Sequence, residues 1–392
     1  MDLTQIAFQD AATRSYLGSP SLVRLPNGAP HGGEIIATHD YFGRGCPRNH
    51  ENEEHLTAVY RSRDDGLSWR SVTLIAGAFW SNLFVHGEAL YLLGCSQQYG
   101  SIVIRRSDDG GDTWTHPEDR TSGLLFEGGE RREPPNYHCA PMPVLQTEGR
   151  LYRAFEDCDP CVWGSGFRSL VISADASSDL LDAGSWTMSN RLRFDPDWAR
   201  HFPKRTASGP LAQMAANVRG APHGWLEGNI VQAPDGRLVN ILRVNSTPAV
   251  DIAAMVEVHD CGRRVSFDPD DGFIDLPGGM SKFTIRRDPQ TGLYITLSNN
   301  NTDPSRANQR NVLSLHASED LRTWRHLRTI LRDDLAHAWE ASLRQTGFQY
   351  PDWQFDGDDL IAAVRTAYRG AHNFHDANRV TFHRILTWRD VL

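Results

Sequence analysis

The sequence predicts an all-β protein, a six-bladed β-propeller built of four-stranded antiparallel sheets, and three observations lead to it. The first is a repeated turn. Ser107-Asp108-Asp109-Gly110-Gly111-Asp112-Thr113-Trp114 reads S-x-D-x-G-x-T-W, and Ser62-Arg63-Asp64-Asp65-Gly66-Leu67-Ser68-Trp69 repeats it. Ser318-Glu319-Asp320-Leu321-Arg322-Thr323-Trp324 is a shortened version that has lost the glycine. In such a turn the Asp carboxylate takes backbone N–H bonds, Gly adopts a conformation closed to other residues, and Trp plugs the turn onto a sheet. The second observation is a set of six hairpin signals: Pro26-Asn27-Gly28, His86-Gly87, Glu148-Gly149, Pro234-Asp235-Gly236, Gln290-Thr291-Gly292 and Asp356-Gly357-Asp358. The third is that strand-like runs flank every one of them. Repetition of one small sheet is the signature of a radial array.

The inner strands are expected at residues 18–23, 79–84, 137–142, 225–231, 280–285 and 349–355. Third strands follow at 56–61, 101–106, 169–173, 253–258, 312–317 and 380–385. Six units predict six blades, with seven as the alternative. The stretch before Tyr16 is placed as an outer strand of the last blade, which closes the ring and removes exposed edges. Residues 44–55, 117–136, 187–223 and 302–309 read as loop insertions, and helix is expected only in loops such as 333–343. No low-complexity linker divides the chain, so residues 1–392 are expected to form one domain.

Composition narrows the partners. Of 392 residues, 40% are hydrophobic and 23% charged, as in an ordinary globular protein. The formal charge of −9 argues against a nucleic-acid surface, which needs a basic face. It leaves an acidic small substrate open, because a few arginines reverse the field inside a cleft. No apolar run approaches the roughly 20 residues that span a bilayer, and no membrane partner is expected. The polar start Met1-Asp2-Leu3 and the six scattered cysteines lead us to expect a cytoplasmic protein, with a secreted form lacking its leader as the alternative. Cys158-Asp159-Pro160-Cys161 has no second pair at zinc-ribbon spacing, so its thiols read as buried or incidental.

The chemistry is expected where inner strands carry polar groups toward the shared channel. Ser19, Ser81, His138, Glu227, Lys282, Tyr350 and Asp352 interrupt those strands. Burying such groups costs several kcal/mol unless they are paired or face water. Glu227 on the first strand of blade 4 and Arg243 on its second come to the same end of the hairpin. A plain cross-strand ion pair is the structural reading of that spacing.

The repeated turn resembles the Asp-box of sialidases and their relatives, and the likeness extends along most of the chain. The blade-4 segment is similar to the one that carries a Glu partnering a catalytic Tyr together with an Arg of a carboxylate-binding triad. Arg310 resembles a second triad arginine and Tyr350 the nucleophilic Tyr. Asp40, in Thr38-His39-Asp40-Tyr41-Phe42, is the best match to the acid/base Asp. One departure stands out. Where the family begins F/Y-R-I-P, this chain has Leu17-Gly18-Ser19-Pro20, so Gly18 occupies the position of the first triad arginine, and Arg24 lies too far along to replace it.

Three functions fit these residues. The leading one is a glycoside hydrolase acting on an acidic sugar at a glycan end. Tyr350 is then the nucleophile, Glu227 its base and Asp40 the acid/base, while Arg243, Arg310 and Arg365 or Lys282 hold the substrate carboxylate. The second is a polysaccharide lyase using His39, His138, His372 or Tyr350 on a uronate-containing glycan. The third is a glycan-binding propeller without catalysis. The His372/His375 spacing with Asp376 also admits a metal, but a loop does not bring i, i+3 histidines to one face, so these read as ligand contacts. No metal or cofactor is expected.

Overall fold

The computed structural model describes residues 3–46, 55–129, 133–203, 223–303, 305–335 and 338–392. Its strands form six antiparallel sheets arranged radially as the blades of a propeller. Blade 1 runs outward from Tyr16–Leu17 and Ser21–Arg24 through Ile35–Phe42 and Leu56–Ser62 to Arg70–Ala76. Blade 2 consists of Phe79–His86, Ala89–Cys95, Ile102–Ser107 and Leu124–Phe126. In blade 3 the inner position is split between Tyr137–His138 and Leu145–Thr147, followed by Arg150–Cys158 and Phe167–Asp175. Blade 4 opens with Gly224–Gln232, Leu238–Asn245 and Ile252–His259, and blade 5 with Thr284–Arg287, Tyr294–Ser298 and Val312–Ser318. Blade 6 is Gly347–Asp356, Asp359–Ala367 and Arg379–Ile385, and Thr4–Phe8 from the start of the chain completes it in antiparallel register. The ring closes through backbone hydrogen bonds between the two ends of the sequence.

Three local expectations are corrected. The inner strand expected at 137–142 is broken after His138, because Pro141 and Pro143 cannot donate to a ladder. The one expected at 280–285 starts only at Thr284; before it the chain turns, with Gly279 N–H bonded to Leu276 O and Ser281 N–H to Gly278 O. Helix, expected within loops such as 333–343, forms there over Trp339–Gln345 and so runs two residues past that loop's expected end, while Asp333 closes a turn by accepting the Leu335 N–H.

Packing follows the blade count. Six apolar clusters each span one junction between neighbouring blades: Phe155 with Leu93 joins blades 2 and 3, Trp225 with Val171 blades 3 and 4, and Trp353 with Leu315 blades 5 and 6. The repeated turns sit at three of the remaining junctions. Trp69 packs near Phe382 of blade 6, Trp114 on the cluster of blades 1 and 2, and Trp324 on that of blades 4 and 5. Each Trp indole also donates back to its own turn, to the carbonyls of Gly66, Gly111 and Leu321, at 3.1 Å in every case. The glycine position demands a left-handed backbone, with φ +90° at Gly66 and +101° at Gly111. Leu321 holds φ +67° in the third turn without glycine's freedom, compensated by complete burial of its side chain.

Asp109 anchors its turn by accepting from Thr113 N–H at 2.9 Å, Thr113 Oγ1 at 2.6 Å and Ser107 Oγ at 2.8 Å. Partial burial pushes its pKa up, but these donors outweigh it and hold it at about 2. Asp109→Ala is expected to cost about 1–2 kcal/mol by leaving the donors unpaired. A depressed carboxyl stabilises above its unfolded pKa of about 4 and loses that contribution as pH falls toward 2. The melting difference between parent and variant should therefore shrink from pH 7 to pH 2.5; an equal difference at both would show that the carboxylate bonds are not its source.

Candidate active site

The site is set by a backbone irregularity that recurs in alternate blades. In the inner strands of blades 2, 4 and 6 the register slips between Phe79 and Asn82, between Leu226 and Asn229, and between Gln349 and Asp352. The residue just inside each slip, Trp80, Glu227 and Tyr350, has φ of +51°, +56° and +53°. Such conformations cost on the order of 1–3 kcal/mol for a non-glycine residue, so the surrounding contacts must enforce them. The bulge aims each of these side chains into one cavity of about 720 Å³.

At its centre Tyr350 Oη donates to Glu227 Oε1 at 2.7 Å, and Arg243 Nη1 donates to Glu227 Oε2 at 2.7 Å and to Tyr350 Oη at 3.3 Å. Arg243 Nε is fixed by the Met280 carbonyl, and Trp163 lies with its ring centre 5.5 Å from the guanidinium. Burial alone pushes the Glu227 carboxyl up, but the Arg243 charge overrides it and holds the group below its ordinary value. Burial, and next the Glu227 charge, raise the Tyr350 phenol above 10. These directions favour the carboxylate form of Glu227 and the phenol form of Tyr350.

Asp40 faces the same cavity from blade 1, inside its second strand rather than after it. Its Oδ1 accepts from Ser19 N–H at 2.8 Å and its Oδ2 from Trp80 N–H at 2.9 Å. Burial dominates these bonds and raises its pKa to about 6. Gly18 is explained by this carboxylate. A Cβ at residue 18 would lie 1.5 Å from Asp40 Oδ1, so no side chain fits there while Asp40 holds its place.

The cavity's field is basic. Among the described residues Arg243, Arg306, Arg310, Arg344 and Arg365 line it against two carboxylates, Asp40 and Glu227. Arg310 and Arg365 are nearly fully buried, and among the described residues neither has a carboxylate within ion-pair distance. Arg310 is held by Asn308 and Gln349. Arg365 donates to the His375 carbonyl at 2.5 Å and lies 4.5 Å from the Phe42 ring centre and 5.1 Å from that of Tyr350, while its Nε has no partner. Burial, then the neighbouring Arg243, lowers the Arg310 pKa to about 9, and burial lowers that of Arg365. Among the described residues both guanidiniums thus lack the close ion-pair partner that burial demands.

The other expected residues separate. His138 lines the cavity, its Nδ1 2.5 Å from Glu156 Oε1. His39 does not: it alternates with Asp40 along the strand, so its ring points away and packs on Tyr60 and Tyr41, where burial lowers its pKa to about 4. Lys282 is buried outside the cavity, bonded to Thr284 Oγ1 and the Pro351 carbonyl at 2.6 Å each. His372 is exposed, 2.7 Å from Asp376, and the cavity is instead reached by His375. Among the described residues no group of three His, Cys, Asp or Glu is arranged to hold a metal ion.

Sequence reasoning missed Trp80, Trp163, Glu156, Arg306 and Arg344, whereas His375, read from the sequence as a ligand contact, does line the cavity. Glu156 Oε1 accepts both the His138 ring and the Glu227 backbone N–H, the latter at 3.0 Å, and so braces the strained backbone of Glu227 from a neighbouring blade. Its sequence signal was weak, because the strand Arg150–Cys158 also carries Arg150, Arg153 and a second acid, Asp157.

No family model matches this chain, and no curated protein matches its sequence. Solved structures do resemble it in fold. The Penicillium chrysogenum alpha-L-arabinanase complexed with arabinobiose superposes with a TM-score of 0.58 at 14% identity, covering 100% of this chain and 99% of that one. The GH93 alpha-L-arabinofuranosidase of Fusarium graminearum gives a TM-score of 0.58 at 10% identity, with coverage of 100% and 99%. Trypanosoma rangeli sialidase in complex with sialic acid gives 0.55 at 13% identity, covering 95% of this chain and 54% of that one. At these identities the likeness establishes the propeller and no more. No helix among the described residues is long and apolar enough to cross a membrane.

Two expectations follow from this geometry. Gly18→Ala should displace the Asp40 carboxylate from the Ser19 and Trp80 N–H groups and lower stability by about 1–3 kcal/mol, the scale of leaving buried donors unpaired; an unchanged melting temperature would count against the steric account. Lys282 has its pKa lowered by burial to about 7. The unfolded chain, with a Lys pKa of about 10.4, binds the extra proton between these values, so stability rises with pH across that window. Lys282→Met should remove that rise, read as the melting difference from the parent at pH 7 and pH 9.5. Thr284 Oγ1 still serves the Pro351 carbonyl in the variant, at 2.7 Å.

Proposed function

We propose that the protein is a glycoside hydrolase that releases an acidic sugar from the end of a glycan. The observation that carries this reading is the 2.7 Å hydrogen bond from Tyr350 to Glu227, set beside two buried arginines that form no ion pair among the described residues. Tyr350 Oη attacks the anomeric carbon as its proton passes to Glu227, while Asp40 protonates the departing glycosidic oxygen. The C–O bond to the aglycone breaks and a glycosyl–tyrosine bond forms. Water then attacks the same carbon, giving its proton to Asp40, and Glu227 returns a proton to the released Tyr350. A phenol suits an anomeric centre that bears a carboxylate, because a carboxylate nucleophile is repelled there. Arg310 and Arg365 hold the substrate's acid group by charge-assisted hydrogen bonds, and Arg243 keeps Glu227 ionised.

The structural neighbours include an arabinanase, an arabinofuranosidase and a sialidase. The basic lining favours an acidic sugar over arabinose. The lyase reading retains His138 as a candidate base, whereas His39 packs away from the cavity.

Tyr350→Phe should lower turnover on the order of 10³-fold or more, as loss of a nucleophile does, with acidic-sugar binding kept. Asp40 must be protonated in the first step, so with its pKa at about 6 kcat/KM should fall as pH rises through 6. Glu227 lies below its ordinary value, which puts the acidic limb below about pH 4.3. Asp40→Ala should abolish the basic limb and be least damaging on aryl glycosides whose leaving group needs no proton. A product absorbing in the ultraviolet as a conjugated uronide would replace hydrolysis by elimination, and the absence of any product across acidic glycosides would leave a binding protein.

A further inference from the structure

The cavity holds more positive charge than one sugar carboxylate neutralises. Besides Arg310 and Arg365, two further arginines line it: Arg306, from the loop before the third strand of blade 5, and Arg344, from the helix Trp339–Gln345. Their positions are fixed by the scaffold. Asp303 accepts from Trp339 Nε1 at 2.7 Å, and Asn311 donates to Ser342 at 2.7 Å, tying the Arg306 loop to the helix. Gln309 accepts the N–H groups of Thr302 and Asp303, and Asn301 donates to the Arg306 carbonyl. Phe374 N–H bonds to the Arg344 carbonyl, so the blade-6 loop joins the same assembly.

Among the described residues neither guanidinium is held in an ion pair. Asp303, whose charge acts on Arg306, already accepts from Ser305 N–H, Ser305 Oγ and Trp339. Arg306 Nε is buried with no hydrogen-bond partner, and among the described residues neither arginine forms an ion pair. Burial and then the charge of Arg344 lower the Arg306 pKa, which places the two like charges close enough to repel. Holding two mutually repelling cations on braced backbone at a cavity wall costs stability unless an anion spans them.

We infer that Arg306 and Arg344 form a second anion subsite, which takes a carboxylate or sulfate on the sugar unit next to the one held at Tyr350. The substrate is then a glycan with acidic groups on consecutive units. This rests on the reading of Tyr350, Arg310 and Arg365 as the site of the terminal acidic sugar. It adds a distinct requirement for a second charge.

The test is calorimetric binding to the Tyr350→Phe protein, which keeps intact ligands in the cavity. The probes are glucuronate and N-acetylneuraminate as single units, their acidic dimers, and a glucuronate-containing disaccharide with and without sulfate on the second unit. Dimers or sulfated disaccharides should bind at least tenfold more tightly than single units. Arg306→Gln with Arg344→Gln should erase that ratio, and the advantage in the parent should decline steeply with salt. Arg344 is exposed and Arg306 half-buried, so the double variant, relieved of their repulsion, is expected to melt at or slightly above the parent. If single units bind and the second charge adds nothing, or if the double variant weakens single and double units equally, the subsite is overturned while the terminal-sugar reading stands. If no acidic sugar binds, both fall. Comparing the dimeric uronate with the sulfated disaccharide tells which anion the subsite takes.

Discussion

Glu227 sits at the centre of the cavity with almost no exposure, ionised because Arg243 is 2.7 Å away and Tyr350 donates to its other oxygen. A carboxylate taken out of water without such partners would protonate or unfold the site. The arrangement around it follows from that constraint. Blade 4 supplies Arg243 across its own hairpin, blade 3 braces the strained Glu227 backbone through Glu156, and blade 6 delivers Tyr350 from a matching bulge. Each partner belongs to a different sheet or strand, so the cluster assembles only when the ring is closed. Closure in turn depends on Thr4–Phe8 joining blade 6.

The same constraint separates the two arginine roles. Arg243 is spent on an internal carboxylate and its pKa is raised despite burial, whereas Arg310 and Arg365 are buried without a charge partner and theirs are lowered. An enclosed guanidinium whose ionised form is disfavoured binds an anion with the desolvation already met. Pre-desolvation of this kind makes electrostatic contacts in a cleft stronger than those on an open surface. A chain of net charge −9 thereby presents a locally positive cavity.

Gly18 shows how the wall can be rebuilt around an acid. Its missing Cβ is what allows Asp40 to take the Ser19 and Trp80 N–H groups, with burial lifting its pKa to about 6. Arg365 reaches the same side of the cavity from blade 6, where its charge acts on Asp40.

The fold was legible in the sequence because its determinants are local. Turns such as Pro234-Asp235-Gly236, and Asp–Gly–Trp turns that satisfy their own donors, recur at a spacing only repeated sheets explain. Glu227 and Arg243 were legible for the same reason, since one hairpin relates them. What the tertiary structure decided are the properties that arise between blades. Strand alternation turned His39 away while leaving Asp40 in the cavity, and the bulge before Tyr350 aimed its ring at a residue more than a hundred positions away in sequence. Two prolines broke the inner strand after His138, and Lys282, expected on an inner strand like the site residues, lies in the turn before Thr284 and is packed outside the cavity instead. Glu156, Arg306 and Arg344 carry no local mark of their roles, because a buried charge declares its purpose only through the groups that three-dimensional packing sets around it.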